Sequence, residues 1–383
     1  MKLDKIEIQI LEFPPYARYK DGIIPPGRPL TWQFPLITMY TDNGLVGHTM
    51  IYGPQGDGPG MADILLKTYW PEIAGKDPRD TEVIWKCLMR KQRDLYNLSH
   101  TLTGVVDVAL WDIKAKAEGV PVYKLLGEVR NKMPCYASCR SVDHSPEEFA
   151  EEALNLKEQG FHGYKIQVFG GDPEWDAECL RKTREVVGED YPVMIDPNSK
   201  LSLEGALKFG KSADEYKAYW LEEPCDESDL FAYKRLTREL ETPILAGETL
   251  SLQAMKNYFH EEAMDLVRGD VLIKGGITGL RKLADTCLEN GYKLEIHTTN
   301  TPILDVANFH VACSVGETTF IENHHPIFRF ALENNPMDID SEGWIHIPDK
   351  PGLGIELDHD WIKAHTTDVM TSHTASRGRD CPT

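Results

Sequence analysis

VMIDPNSKLSLEGALKFGKSADEYKAYWLEEPCDESDLFAYKRLTRELETPILAGET, residues 193–249, contains three short apolar runs, each closed by an acid and two of them followed by a helical segment. Asp196 ends VMID, Glu222 ends YWLE and Glu248 ends ILAGE, at intervals of 26 residues. Apolar runs of this length joined by helices read as parallel strands, because parallel neighbours need a crossover of a dozen or more residues. The same rhythm extends in both directions. Apolar runs are expected at 134–138, 164–168, 192–196, 219–222, 243–248, 266–273, 292–297 and 319–322. Ser145-Pro146-Glu147-Glu148 places a capping serine before a proline and a glutamate three residues on, so a helix begins there, and Gly160 closes it. Asp172-Pro173 repeats the device. Eight such units predict a β/α barrel. An open doubly wound sheet is the competing arrangement, but no Gly-rich dinucleotide fingerprint follows any of the runs.

In a barrel the carboxyl ends of the strands meet at one mouth, where the polar residues make the site. Here those residues are Lys165, Asp196, Glu222, Glu248, Asp270, His297 and Glu322, one for each unit after the first. One acid after a strand is commonly a helix cap. Three on adjacent strands would repel one another unless a hard cation sat between them, and an all-oxygen donor set favours Mg²⁺.

The flanks differ in texture. Residues 1–130 open with strand-like runs at 6–10 and 35–40, and Thr41-Asp42-Asn43-Gly44 is a hairpin signal. A helical pattern follows over 107–127, broken by Gly119-Val120-Pro121. The segment 331–383 has a few short runs and then a polar tail, 366–383, expected to fray or pack late. The domains expected are thus an N-terminal α+β unit (1–130), a barrel (131–330) and a C-terminal segment (331–383).

The 383 residues carry a net charge of −20, which argues against nucleic-acid and membrane-surface partners. No run approaches the ~20 apolar residues of a membrane span, and charges interrupt MKLDKIEIQI too closely for a signal sequence. The eight cysteines, at 87, 135, 139, 179, 225, 287, 313 and 381, have neither zinc nor redox spacing and are expected to be free thiols. A soluble, cytoplasmic protein is the expectation.

Seven segments together resemble the enolase superfamily, mandelate racemase subgroup, over roughly residues 3–355. They are DVALWDIKAKAEGVPVYKLLG (107–127), YKIQ (164–167), MIDPN (194–198), WLEEP (220–224), AGET (246–249), DVLIKGGITG (270–279) and EIHTTN (295–300). The resemblance implies a modified (β/α)7β TIM barrel under an N-terminal α+β capping domain, to which the C-terminal segment returns. It also implies Mg²⁺ on Asp196, Glu222 and Glu248, an Asp270–His297 dyad, and Glu322 as the acid after the last strand. Glu223 is expected to point away from the mouth. Lys165 matches a lysine that neutralises a bound carboxylate, and Gln167 stands where the subgroup commonly has a second lysine that serves as a base. Gln167 and Asn198 are the expected substrate-binding residues. An amide cannot take that proton, so only His297 is left to remove a proton alpha to the carboxylate. It would pass the proton to a departing β-hydroxyl on the same face, as in the acid-sugar dehydratases that the chain looks like. A racemase, epimerase or cycloisomerase of the same superfamily, and a non-catalytic binding protein on a retained barrel, are the alternatives. A small carboxylate substrate and a homo-oligomer are the expected partners. The loops 14–28 and 52–60, rich in Pro, Gly and Tyr, are expected to read substrate hydroxyls.

Overall fold

The computed structural model describes residues 1–14, 31–52, 57–94, 100–139, 144–168, 171–325, 330–334 and 336–374. Most of the two loops expected to read substrate (15–30 and 53–56) lies outside the described residues.

The N-terminal part is an antiparallel sheet with helices on one side. Strand β1 (Leu3–Phe13) pairs with β2 (Trp32–Thr41), and the hairpin expected at 41–44 joins β2 to β3 (Val46–Met50). Helix α1 (Gly58–Ile64) runs through a π-turn at Leu65–Tyr69 into α2 (Trp70–Ile73), followed by α3 (Thr81–Asp94), α4 (His100–Glu118) and α5 (Val122–Leu126). Most of α4 is buried, from Leu102 to Ala115, as its apolar composition requires of a helix enclosed on all sides.

Eight parallel strands follow: β4 (Lys132–Cys139), β5 (Gly163–Gln167), β6 (Val193–Asp196), β7 (Leu221–Glu222), β8 (Ile244–Ala246), β9 (Leu266–Gly269), β10 (Lys293–Ile296) and β11 (Ile321–His325). Each pairs with the next, and β11 pairs with β4 from Ile321↔Cys135 to His325↔Cys139, which closes the barrel. Seven helices connect them: α6 (Pro146–Glu158), α7 (Pro173–Val187), α8 (Leu203–Glu215), α9 (Leu230–Glu239), α10 (Leu252–Glu261), α11 (Gly276–Asn290) and α12 (Pro302–Ala312). This is the (β/α)7β order. Ser145 caps α6 in a reciprocal box with Glu148, and Asp172 caps α7 through its side chain. Inside the barrel Tyr136, Met194, Trp220, Leu245 and Phe320 form an apolar plug of their own, which leaves the mouth free for polar groups.

The first helical layer grips the barrel at a place that matters for the site. Gly104 of α4 lies so close to the turn after β9 that a Cβ there would stand 2.5 Å from the Val271 carbonyl oxygen. Asp107, one turn on, accepts from the Thr278 N–H (2.8 Å) and hydroxyl (2.7 Å) at the start of α11. The 270–275 turn is thus pinned from the N-terminal part of the chain.

Two expectations are corrected. The polar tail does not fray over its first half. Strand β12 (Trp344–His346) adds antiparallel to β4, α13 (His359–His365) follows, and β13 (Thr366–His373) pairs along β1 from Leu11↔Thr366 to Lys5↔His373. The free edge of β1 supplies backbone partners that a count of apolar residues does not show, and Thr366, Thr367, Val369 and Thr371 are β-branched. The cysteines are not all free either. Six of them are buried and form no disulfide, but Cys87 is disulfide-bonded, with its partner outside the described residues. Among the described residues no helix is long and apolar enough to cross a membrane.

Helix α7 carries a pH-sensitive defect. Asp176 is fully buried, and neither of its carboxylate oxygens has a hydrogen-bond partner among the described residues. Burial, with Asp172 adding to it, raises its pKa to about 7. A carboxyl whose folded pKa is raised favours the fold below its unfolded pKa and loses that contribution as pH rises through the folded one. Asp176→Asn is therefore expected to match the parent near pH 4 and to exceed it by ~1–3 kcal/mol at pH 8. Chemical denaturation at the two pH values checks this; an equal difference at both would refute it.

Candidate active site

The strand ends bring the predicted residues to one mouth. Alternation along each strand sorts them. Lys165 and Gln167 share a face of β5, and Gln167 is paired in register with Asp196 on β6. Glu222 ends β7 two residues after the plug residue Trp220, whose Nε1–H donates to Glu222 Oε2 at 3.1 Å. Glu248 and Asp270 lie just beyond β8 and β9, and His297 follows β10 directly.

Beneath the mouth lies a buried ionic layer. The Lys165 ammonium contacts Glu222 Oε1 at 3.0 Å, Glu322 Oε1 at 2.8 Å and Asp196 Oδ2 at 3.8 Å. The Arg268 guanidinium, fully buried on β9, spans Glu222 Oε1 (3.0 Å) and Glu322 Oε2 (2.6 Å). Burial works against the Glu322 charge, yet Arg268 and Lys165 hold its carboxyl well below the usual range. The same carboxylates hold Lys165 protonated against its own burial.

Closer to the opening the acids have less compensation. Burial, and then the Glu222 charge, raises Asp196 to about 7. Burial raises Glu248 as well. Asp270, fully buried, accepts from the Ile273 N–H at 2.7 Å and holds His297 Nδ1 at 2.6 Å from its other oxygen. His297 Nε2 is 3.5 Å from Glu248 Oε2. Burial alone would lower the imidazole pKa, but Glu248 and then Asp270 outweigh it and bring it to about 9. Gln167 is buried, and its Oε1 has no partner among the described residues.

The turn that carries Glu248 is clamped from two sides. Glu227 accepts from the N–H groups of Gly247 and Thr249, and Glu223 accepts from the Glu248 N–H at 3.0 Å. Lys274 Nζ donates to the carbonyls of Gly247, Glu248 and Leu250. Glu223 sits at φ 38°, which turns the chain as β7 ends and sends its side chain to this clamp. Burial, reinforced by Glu227, raises the Glu223 carboxyl well above its usual range.

Asn198 is held by its backbone, whose N–H donates to Asp196 Oδ1 at 2.7 Å. Asp196, Glu222 and Glu248 face one mouth, but Lys165 engages Glu222 and Asp196 from below. Among the described residues the set of three metal-type side chains whose ligand atoms lie within 4.8 Å of one another is His297, Glu322 and His324. The three predicted ligands still suit Mg²⁺ by donor chemistry. All are carboxylates, and the site has five acids (Asp196, Glu222, Glu248, Asp270, Glu322) against the two fixed cations Lys165 and Arg268.

Arg268 and His324 are not among the residues expected at the mouth, although a signal for each is present in the sequence. Arg268 stands two residues before Asp270, and His324 two after Glu322, hence on the same strand faces. His324 is buried, with Nε2 2.8 Å from the Thr298 carbonyl and its ring centroid 6.5 Å from that of His297. His325, its neighbour, has a side chain outside the described residues.

A family model described as the mandelate racemase / muconate lactonizing enzyme N-terminal domain matches residues 30–127, and one described as enolase C-terminal domain-like matches 148–361. The chain is 30% identical to arabinonate dehydratase of Saccharolobus solfataricus, over 83% of this chain and 86% of the relative. It is 27% identical to L-talarate/galactarate dehydratase of Salmonella typhimurium, over 93% and 89%. D-galactarolactone cycloisomerase of Agrobacterium fabrum is 30% identical, over 85% and 89%. Among solved structures, D-glucarate dehydratase from Agrobacterium tumefaciens complexed with magnesium superposes with a TM-score of 0.84 at 26% identity, over 96% of this chain and 100% of that one. With both domain models matched in order and the (β/α)7β barrel in place, the chain belongs to the enolase superfamily.

Proposed function

We propose that the protein is a lyase, an Mg²⁺-dependent acid-sugar dehydratase that removes the proton alpha to a carboxylate and expels the β-hydroxyl. The observation that carries this reading is the single dyad: His297 Nδ1 is bonded to Asp270 at 2.6 Å, while the position two residues after Lys165 holds an amide, Gln167. Asp196, Glu222 and Glu248 would hold the metal, which supplies charge stabilisation to the carboxylate oxygens of the substrate.

The rest falls to side chains. The Asp270 carboxylate accepts the Nδ1–H and orients the ring, so that Nε2, in the unprotonated form of the imidazole, is the atom that takes the α-proton. Abstraction leaves an enediolate with a second negative charge on the substrate carboxylate, and the cations Lys165 and Arg268 lie below to offset it. The imidazolium then returns the proton to the β-hydroxyl on its own face, water departs, and the enol tautomerises to a 2-keto-3-deoxy acid. Gln167, with its buried Oε1 unpartnered, is placed to hold a substrate hydroxyl; Asn198 is the second such candidate. The proposed domain roles follow: the barrel carries the chemistry, and the N-terminal unit and the C-terminal segment cover it. A homo-oligomer remains part of the proposal and is tested by sedimentation.

A panel of aldonic and aldaric acids, incubated with Mg²⁺ and scored for carbonyl product, tests the reading. At least one acid is expected to give a 2-keto product with loss of one water. Turnover without water loss would favour the cycloisomerase reading, which the relative from Agrobacterium fabrum supports. No turnover across the panel, with or without Mg²⁺, would overturn both.

A further inference from the structure

Taking Asp196, Glu222 and Glu248 as the metal ligands, as in the function proposed above, we propose that Lys274 and Glu227 are positioning residues that set the ion preference of the site. They hold the chain around Glu248 so that Mg²⁺ is taken and the larger Ca²⁺ is disfavoured. Six backbone groups across residues 247–250 are held by side chains from elsewhere in the chain. The N–H groups of Gly247 and Thr249 donate to Glu227, and that of Glu248 donates to Glu223 at 3.0 Å. The carbonyls of Gly247, Glu248 and Leu250 all accept from Lys274 Nζ. Lys274, Glu223 and Glu227 are themselves buried.

Helix capping does not account for this. Helix α10 has its own cap in Ser251, so the clamp acts on the residues before it. An ammonium has three N–H donors, and the three carbonyls use all of them. A swing of the turn would leave a buried donor unmet, which is costly. Glu227 grips both ends of the turn, with Oε1 at Gly247 and Oε2 at the Thr249 N–H (2.8 Å) and hydroxyl (2.5 Å). Glu223 and Glu227 follow β7 and Lys274 follows β9, the two strands that flank β8, so the turn is braced from both sides. Gly247 permits the arrangement. It sits at φ 115°, where its N–H meets Glu227 and its carbonyl meets Lys274, a conformation open to glycine. A Cβ there would also stand 2.8 Å from Met255 Sδ.

A carboxylate on a fixed backbone discriminates between ions by size. Mg²⁺ demands near-octahedral ligands at ~2.0–2.1 Å, whereas Ca²⁺ takes ~6–8 oxygens at ~2.3–2.6 Å in flexible arrangements. With residues 247–250 held at six points, Glu248 can adjust only through its own side-chain torsions, which favours the smaller ion. The Lys274 N–H also donates to the Asp270 carbonyl at 3.1 Å. One turn thus holds both the dyad acid and, through Nζ, the chain that carries Glu248.

Calorimetric titration of the full chain with Mg²⁺ and, separately, with Ca²⁺ tests this without substrate. The parent is expected to bind Mg²⁺ more tightly than Ca²⁺. Lys274→Met should weaken Mg²⁺ by about 10–100-fold and Ca²⁺ by much less, so the preference narrows. Glu227→Gln keeps one acceptor oxygen, and Thr249→Val removes a single side-chain hydrogen bond and no charge; both should narrow it in the same direction by smaller factors. A clamp that only stabilised the loop would lower the urea midpoint and leave the ratio of the two affinities unmoved. A parent that binds both ions alike, or variants that keep Mg²⁺ undiminished or lose both ions in proportion, would overturn the proposal. The parent and Thr249→Val decide the matter even if Lys274→Met fails to fold. A parent that binds no Mg²⁺ would overturn the proposed ligands together with the clamp, whereas a panel of acids without turnover would overturn the dehydratase reading and leave the ion preference standing.

Discussion

His297→Asn is expected to cut turnover by about 10²–10⁴-fold and to stop exchange of the substrate α-proton with deuterated solvent. Asparagine keeps a hydrogen-bonding group near Asp270 but has no nitrogen that accepts a proton near neutral pH. The other candidates are committed elsewhere. The Lys165 ammonium is buried against Glu222 and Glu322, and Gln167 is an amide. Gln167→Ala should weaken substrate binding and retain part of the turnover, because it removes hydrogen bonds and not a proton carrier. Proton NMR of the substrate in D₂O reads exchange separately from water loss. Rapid exchange in His297→Asn would end the one-base reading and point to Lys165 or His324.

The second large effect separates acids that look alike in sequence. From the sequence, removing any of Asp196, Glu222 or Glu248 should spare the fold, since three like charges would repel less as two. The ionic layer changes that for Glu222, whose carboxylate is shared by the buried Lys165 and Arg268. Glu222→Ala leaves two buried cations with Glu322 as their main partner and should cost ~3–5 kcal/mol of stability. Asp196→Asn removes a carboxylate that burial and Glu222 already disfavour, so its stability should stay within ~1 kcal/mol of the parent or rise. Both variants should lose Mg²⁺ affinity. Urea titrations of the two, side by side, provide the check. Equal stabilities would show that the ionic layer contributes little.

What was legible in the chain was what depends on local order. Each of the eight apolar runs contains or overlaps a barrel strand, because strand and helix periods are written in neighbouring residues. The errors lie where distant parts meet. The run 266–273 read as one strand, but β9 stops at Gly269 and the apolar Val271-Leu272-Ile273 enters a turn. That turn is held by α4 and by the Asn308 side chain, which accepts from the Val271 N–H at 2.8 Å. Arg268 was silent for the same reason. A cation inside an apolar run acquires meaning only from Glu222 and Glu322, 46 and 54 residues away in sequence. The last apolar run, 319–322, reads as a strand that ends before His324. It continues to His325, and the extra residues carry the second imidazole inward.

The pairing of β13 with β1 also sets a schedule for synthesis. Thr374 donates to the Leu3 carbonyl across 371 residues of chain, so β1 emerges from the ribosome long before its outer neighbour exists. At ~5–20 residues per second the interval is roughly 20–70 s. Throughout that time β1 can pair with β2 on one side only, and its other edge stays open to any extended segment nearby. Among the barrel strands β4 waits for β11, 186 residues on (Cys135 to Ile321), while the others lie beside their successors. Vectorial folding therefore leaves β1, made early, among the last strands to be sealed on both edges.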